Sequence, residues 1–213
     1  MDINKAILQQ FTPEIGGRVM IVRISKVVEQ LPAETINTYR TGHSLERTHQ
    51  LTCADQVVTY LLSTPSQIIR DQEGAPSLRG RGERLSISHT DDYMAVYLHE
   101  NEEVAIDIEL LGRNISAIER RFARPGETAL LTAAGADEAL LQLWSIKECL
   151  FKVIPVNQVL FKEHLILKEV GLNNGKWHQH CEVSHPQHQQ HYSVVSRIFA
   201  PLIVSYTVVR SID

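Results

Sequence analysis

Cysteine is scarce in this 213-residue chain, which has only Cys53, Cys149 and Cys181. The three thiols lie far apart, are odd in number and form no Cys-x-x-Cys pair. This pattern argues against a zinc ribbon and against a disulfide scaffold. Sparse, unpaired thiols are typical of a reducing compartment, so we expect a cytoplasmic protein.

Long hydrophobic runs are also missing. The longest apolar stretches, 93–98 and 199–206, are far shorter than the ~20 residues that a membrane-spanning helix needs. The N-terminus has no basic region followed by an apolar core, so no secretory signal is expected. We therefore set aside membrane proteins and secreted mini-proteins.

Positive charge is not in excess: the chain has 21 Lys and Arg against 25 Asp and Glu, which gives a net charge of -4. This balance argues against a protein that binds nucleic acid through bulk charge. The composition, 43% hydrophobic and 22% charged, is that of an ordinary globular protein. The length corresponds to about 1.4 domains, so one large domain or two small lobes both fit.

Apolar periodicity and turn residues predict the secondary structure. Helices are expected over 45–62, 115–122 and 137–153, with Asp137 as the N-cap of the last. Strands are expected over 19–24, 85–89, 93–98, 104–109, 161–170, 176–183, 191–199 and 202–209. Residues 71–84, rich in Gly, Pro and charge, predict a loop, and Asn173-Asn174-Gly175 predicts a tight turn.

Two carboxylates stand out in the strand predicted at 104–109. Side chains alternate along a strand, so Asp107 and Glu109 share one face, within about 7 Å of each other. Such a pair repels unless it is solvated or shares a cation. The spacing therefore leaves two interpretations open: a surface strand with a solvated face, or a site for a hard cation such as Mg²⁺.

The helix predicted at 137–153 carries a charge on its apolar face. Its apolar stripe consists of Leu140, Leu143, Trp144, Leu150 and Phe151. Lys147 falls inside that stripe. Because burying an unpaired charge is costly, the position of Lys147 favours a polar cleft at this helix. Glu148 and Lys152 lie one turn apart and could form a surface ion pair worth a few tenths of a kcal/mol.

Histidines supply the remaining candidates. His89 ends a strand before a turn, where it is either structural or a donor to a phosphate oxygen. The His-rich stretch 178–191 could bind zinc. Its Pro186-Gln187 break, with no cysteine motif beyond Cys181, favours a surface strand–loop–strand instead.

Taken together, these segments resemble the 4′-phosphopantetheinyl transferase superfamily. The motifs that carry the resemblance are Ile87-Ser88-His89-Thr90, Ile106-Asp107-Ile108-Glu109, Arg121-Phe122 followed by Glu127, and Trp144-Ser145-Ile146-Lys147-Glu148 with Lys152. They span about residues 73–152, and the length resembles the surfactin-synthetase type, not the small trimeric holo-acyl-carrier-protein synthases.

That type implies an α+β fold of two similar lobes, a pseudo-dimer within one monomer. The expected division is an N-terminal lobe, 1–103, with the Ser-His hairpin on the coenzyme A side. A C-terminal lobe, 104–213, would hold the metal site and the catalytic helix.

The resemblance also implies an activity. The enzyme would transfer the 4′-phosphopantetheine group of coenzyme A to a serine of an apo acyl or peptidyl carrier protein. The transfer would use Mg²⁺ or Mn²⁺ and release adenosine 3′,5′-bisphosphate.

Particular residues take roles by the same resemblance. Asp107, Glu109 and Glu148 would bind the metal, and Glu127 would lie near the metal or its water. Glu148 would act as general base and Lys152 would neutralise the departing bisphosphate. Coenzyme A would contact Ser88, His89, Lys152 and, by a looser match, Arg47.

Three departures bear on coenzyme A affinity. Gly74-Ala75-Pro76 stands where the superfamily has Gly-Lys-Pro, Ala105 replaces a glycine, and Val153-Ile154-Pro155-Val156 replaces a Gly-rich stretch. Arg79, Arg81 or Arg84 could substitute for the missing lysine. One alternative is therefore a degenerate relative that binds coenzyme A or a carrier without transfer; another is a Mg²⁺-dependent phosphohydrolase using the same carboxylates.

Overall fold

A computed structural model describes residues 3–209 and has an α+β fold. The chain divides into two compact units, Met1–Glu102 and Glu103–Asp213, called here the N-unit and the C-unit. Among the described residues, no helix is long and apolar enough to cross a membrane.

The N-unit is built on a four-stranded antiparallel sheet. Its elements are β1 (Ile7–Phe11), β2 (Arg18–Arg23), α1 (Ile24–Val28), α2 (Ala33–Asn37), α3 (Leu45–Leu62), β3 (Ile68–Arg70), β4 (Pro76–Leu78), β5 (Arg84–Thr90) and β6 (Tyr93–His99), after a short 3₁₀ turn at Ile3–Lys5. The sheet order is β1-β2-β6-β5, and β3 pairs with β4 in a separate hairpin.

Helix α3 confirms the prediction for 45–62 at both ends. The Ser44 hydroxyl accepts a hydrogen bond from the Arg47 backbone N–H, which caps the first turn. Ser63 adopts a left-handed conformation with φ 55°, which ends the helix. Buried Cys53 and Val57 belong to the apolar core of this unit.

The hairpin predicted to carry the Ser-His pair is also confirmed. Strands β5 and β6 pair antiparallel around a turn in which Asp91 has φ 48°. The next residue, Asp92, accepts hydrogen bonds from both the backbone N–H and the hydroxyl of Ser25. This carboxylate caps the start of α1 and ties the hairpin to the helix.

Gly17 is required by its conformation and by its neighbours. It has φ +76°, and a Cβ there would lie 2.6 Å from the Leu98 carbonyl oxygen. Gly17→Ala is therefore expected to lower the free energy of unfolding by about 2 kcal/mol, measured by guanidinium denaturation. Gly82→Ala is the matched control because no atom lies within 4 Å of its Cβ. Equal stability of the two variants would contradict this assignment.

The C-unit is built on a five-stranded antiparallel sheet with the order β7-β11-β10-β9-β8. Its elements are β7 (Glu103–Leu110), α4 (Glu119–Phe122), α5 (Glu127–Ala133), α6 (Ala139–Phe151), α7 (Phe161–His164), β8 (Leu165–Asn173), β9 (Lys176–His185), β10 (His188–Phe199) and β11 (Leu202–Val209). Helix α6 packs on the sheet and shares its core with buried residues of β8, β9 and β10. The turn predicted between β8 and β9 is confirmed, with Asn174 and Gly175 both at positive φ.

Several elements differ from the sequence prediction. Helix α6 spans 139–151, not 137–153, and its N-cap is Glu138, not Asp137. Helix α5 was not predicted, and the loop expected at 71–84 contains strand β4. Residues 161–164 form α7 and not the start of a strand, because the Arg124 guanidinium donates to the carbonyl oxygens of Lys162 and Glu163.

The predicted apolar stripe of α6 is wrong in one place. Phe151 is 44% exposed, whereas Leu141, Ile146 and Cys149 are buried. The helix is therefore buried on more than one side, which a single-stripe pattern does not describe.

Candidate active site

The face of β7 that bears Asp107 and Glu109 is buried. These two side chains belong to residues that are 5% and 4% exposed, and Ile106 and Ile108 on the opposite face are also buried. The interpretation of this segment as a strand with a solvated face is therefore wrong. Two buried carboxylates need compensating partners, and the structure provides them from α6 and from the turn after β7.

Asp107 is paired with Lys152. The Lys152 ammonium donates to Asp107 Oδ1 at 2.9 Å and to the Ile106 carbonyl oxygen at 2.8 Å. Lys152 therefore turns toward β7, and the ion pairs among residues 3–209 do not include the Glu148–Lys152 pair that the helical spacing suggested.

Glu109 has a partner on each carboxylate oxygen. The Trp144 indole N–H donates to Oε1 at 2.8 Å, and an Arg113 Nη donates to Oε2 at 2.5 Å. Burial raises the pKa of Glu109, and the charge of Asp107 raises it further, while Arg113 and Trp144 oppose the change.

Glu148 is electrostatically coupled to both strand carboxylates. Burial raises its pKa to about 7, the negative charges of Asp107 and Glu109 add to the rise, and Lys152 opposes it. A carboxylate that titrates near neutral pH can take up a proton during a reaction. The three acidic side chains therefore form one charged cluster, called here the carboxylate cluster.

The donor chemistry of the carboxylate cluster fits a hard divalent cation. Mg²⁺ takes oxygen ligands, and a cation would relieve the repulsion that, in addition to burial, raises the pKa of Glu148. Within residues 3–209, no group of three or more His, Cys, Asp or Glu side chains is already arranged as a ligand set. Asp107 and Glu109 are instead turned toward two protein cations, Lys152 and Arg113.

Lys147 is buried in a closed ion pair, and the polar cleft expected from its position is wrong. Its residue is 1% exposed, and its ammonium donates to Glu127 Oε2 at 2.7 Å and to the Phe122 carbonyl oxygen at 2.6 Å. The charge on the apolar face of α6 is therefore neutralised within the core.

Glu127 is fully engaged in the same arrangement. Its Oε2 also accepts from the Arg124 backbone N–H at 2.7 Å, and its Oε1 accepts from the Leu167 backbone N–H at 2.9 Å. The carboxylate thereby joins the start of α5, strand β8 and helix α6. These contacts favour a structural role for Glu127 over the metal-associated role that the resemblance implies.

Glu148 also lines an apolar cavity of about 460 Å³. Four aromatic rings pack along this region in a chain with centroid separations of 5.1 to 5.5 Å: Phe122, Trp144, Phe161 and Phe151. Phe151 is 44% exposed and Leu160 is 55% exposed, so the wall is open to solvent. The acidic group therefore faces an accessible apolar surface.

One wall of this cavity depends on a histidine. His164 Nδ1 accepts the Leu160 backbone N–H at 2.9 Å, which holds the start of α7. Burial lowers the pKa of His164 and the neighbouring His185 ring lowers it further; Glu163 opposes this change, and Arg124 adds to it. A protonated Nδ1 cannot accept that hydrogen bond.

Acidification is therefore expected to break the hydrogen bond from the Leu160 N–H to His164 Nδ1 at the start of α7. Because the folded-state pKa lies below the usual ~6.5, the contribution of His164 to stability is complete above ~6.5 and is lost as pH falls through the lowered value. The Leu160 amide resonance, followed by NMR from about pH 8 to 5, should shift with a midpoint below ~6.5. His164→Gln should abolish that shift, and a shift that survives the substitution would contradict the assignment.

The residues assigned to coenzyme A by resemblance lie in the N-unit. Ser88 is buried on β5 opposite Ala95, and His89 follows on the exposed face opposite Met94. Arg47 lies in the first turn of α3, where an Nη donates to Gln50 Oε1 at 3.2 Å.

The His-rich stretch forms the β9–β10 hairpin, which confirms its interpretation as a surface strand–loop–strand. His185 pairs with His188 across the turn, and the rings of His180 and His191 stack at 5.0 Å on the exposed face. Its histidines belong to no metal-ligand group within residues 3–209.

Sequence reasoning missed two residues that contact the carboxylate cluster, Trp144 and Arg113. Trp144 was assigned to the apolar stripe, although a buried indole N–H usually needs an acceptor. Arg113 lies four residues after Glu109, but on a turn and not on a helix, so no periodic pattern identifies it.

The segment that contains the carboxylate cluster matches a known family model. Residues 103–202, just under half of the chain, match the model of the 4′-phosphopantetheinyl transferase superfamily. The match includes the carboxylate cluster and Lys152, and it supports a transferase. A search of curated proteins found no match.

Proposed function

We propose that the protein transfers the 4′-phosphopantetheine group of coenzyme A to a serine of an apo acyl or peptidyl carrier protein, the holo-acyl-carrier-protein synthase reaction. The observation that carries the proposal is the carboxylate cluster, in which the buried Asp107 and Glu109 lie close enough to half-buried Glu148 to raise its pKa, within the segment that matches the superfamily. Asp107, Glu109 and Glu148 would hold Mg²⁺ or Mn²⁺ as cofactor. The bound ion would neutralise charge on the pyrophosphate as its P–O bond breaks.

The remaining roles follow from the chain's own side chains. Glu148 would accept the proton of the attacking serine hydroxyl, because it is an accessible carboxylate beside the proposed cation. Lys152, which is 26% exposed at its side chain, would leave Asp107 to neutralise the departing adenosine 3′,5′-bisphosphate. Ser88, His89 and Arg47 would bind coenzyme A.

The surfactin-synthetase type is part of the proposal. Each unit by itself combines an antiparallel sheet with a long helix, α3 in one and α6 in the other, which supports two similar lobes in one monomer. We also propose a cytoplasmic location, because Cys53, Cys149 and Cys181 are all free and buried.

A second candidate is a relative that binds coenzyme A or a carrier without transfer. It is favoured by Ala75, which stands in the β3–β4 turn where the superfamily has lysine. The Ala75 backbone N–H donates to Asp71 Oδ1 at 2.9 Å, so this turn is shaped by a local carboxylate and contributes no cation at that position.

A transfer assay tests the two candidates. The protein is incubated with coenzyme A, MgCl₂ and a panel of apo carriers, and carrier mass is read alongside calorimetric binding of coenzyme A. The transferase predicts a phosphopantetheine mass gain on at least one carrier, and none when that carrier's modified serine is replaced by alanine. Coenzyme A binding with no gain on any carrier would favour the second candidate. Neither binding nor gain would contradict both.

A further inference from the structure

Arg113 forms an ion pair with Glu109, a carboxylate that the proposed function assigns to the cation. Its guanidinium lies 2.5 Å from Glu109 Oε2, while the other oxygen of Glu109 is taken by Trp144. Glu109 therefore has both oxygens engaged by the protein's own donors. A cation that used Oε2 would have to replace the guanidinium.

The turn after β7 positions the Arg113 side chain beside Glu109. After β7 the chain turns back, with the Arg113 backbone N–H donating to the Leu110 carbonyl oxygen at 3.2 Å. Gly112 has φ +80°, which favours glycine, and its N–H donates to Glu138 Oε1 at 3.0 Å. The N-cap residue of α6 thus fixes the turn that returns the guanidinium over Glu109.

The two partners differ in their freedom to move. The Arg113 side chain is 51% exposed, whereas that of Glu109 is 6% exposed. An exposed guanidinium can leave for water at little cost, whereas a buried carboxylate that stays charged needs a positive partner. The pair is therefore suited to exchange one cation for another at a fixed carboxylate.

We propose that Arg113 is an internal competitor for the divalent cation, holding Glu109 until metal displaces its guanidinium. This inference rests on the proposed metal role of the carboxylate cluster and adds a residue that sets the affinity. The affinity for the divalent cation would then be lower than the three carboxylates alone would give. Substituting Arg113 would restore part of that affinity.

Calorimetric titration of the metal-free protein with Mn²⁺ alone, in wild type and Arg113→Met, tests the proposal. Removing a partly exposed competing ion pair is expected to tighten the dissociation constant about three- to tenfold. Arg113→Lys, which keeps the charge, should fall between the two. Arg120→Met is the matched control, because Arg120 is an exposed cation on α4 and makes no ion pair with the cluster within residues 3–209.

The outcomes separate this inference from the proposed function. Unchanged affinity in Arg113→Met would overturn the competitor role while leaving the transferase proposal intact. Weaker affinity would also overturn it and would make Arg113 a residue that orients Glu109 for the metal. An equal gain in Mn²⁺ affinity in Arg120→Met would also overturn it, because the effect would then come from the change in net charge. No Mn²⁺ binding to any variant would overturn the competitor role, and the separate carrier-mass assay would then decide the transferase proposal.

Discussion

Asp107→Asn is expected to reduce the rate of phosphopantetheine transfer by on the order of 10²- to 10³-fold. The substitution keeps the shape of the side chain but removes a charge that is buried beside Glu109 and Glu148. Without that charge the cluster loses a third of its formal negative charge for a cation, and Glu148 loses the largest charge effect that raises its pKa. Initial rates of carrier modification at saturating coenzyme A provide the measurement.

The fold should survive this substitution. Lys152 is 26% exposed at its side chain and can turn to solvent when Asp107 loses its charge. Glu182→Gln serves as the control, since Glu182 forms a surface ion pair with Lys168 on the sheet. A folded Asp107→Asn variant that transfers as fast as Glu182→Gln would contradict the role of the cluster.

Lys147→Met is expected to lower the free energy of unfolding by about 3–5 kcal/mol. The variant preserves the length and apolar stem of the side chain but leaves the Glu127 carboxylate in the core without its ammonium partner. Because domains are stable by only ~5–15 kcal/mol, such a loss shifts the guanidinium midpoint strongly. Equilibrium denaturation followed by far-ultraviolet circular dichroism gives the value.

An exposed pair is the proper comparison for this loss. Lys26 and Glu29 lie 2.8 Å apart, with side chains 50% and 59% exposed. Lys26→Met should cost less than ~1 kcal/mol, since water solvates either partner alone. Similar losses for Lys147→Met and Lys26→Met would show that the Lys147–Glu127 pair is not a buried element of the core.

Local signals explain what the sequence predicted correctly. Helix α3 is bounded by Ser44 and Ser63, each of which acts within a few residues of its position. The alternation along β7 identified the shared face of Asp107 and Glu109, because strand geometry alone determines it. The superfamily match over 103–202 covers the Asp107-x-Glu109 and Trp144-to-Lys152 motifs of the resemblance, but not its Ser88-His89 motif.

What the sequence could not predict is the choice of partners. Lys147 lies on α6 and Lys152 is its C-cap, yet Lys152 pairs with Asp107, 45 positions away, and Lys147 with Glu127, 20 positions away. Helix α7 depends on Arg124, which reaches across 38 positions to Lys162. Such contacts depend on tertiary packing, which neither periodicity nor intrinsic propensity encodes.

The most direct test of the account is the mass of an apo carrier protein after incubation with coenzyme A. The wild-type protein should add phosphopantetheine in Mg²⁺, should add none in excess EDTA, and should recover when Mg²⁺ is restored. Asp107→Asn should show almost no addition in Mg²⁺ over the same interval. Full modification of the carrier in EDTA, or by Asp107→Asn at the wild-type rate, would contradict a cation-dependent transfer at Asp107, Glu109 and Glu148.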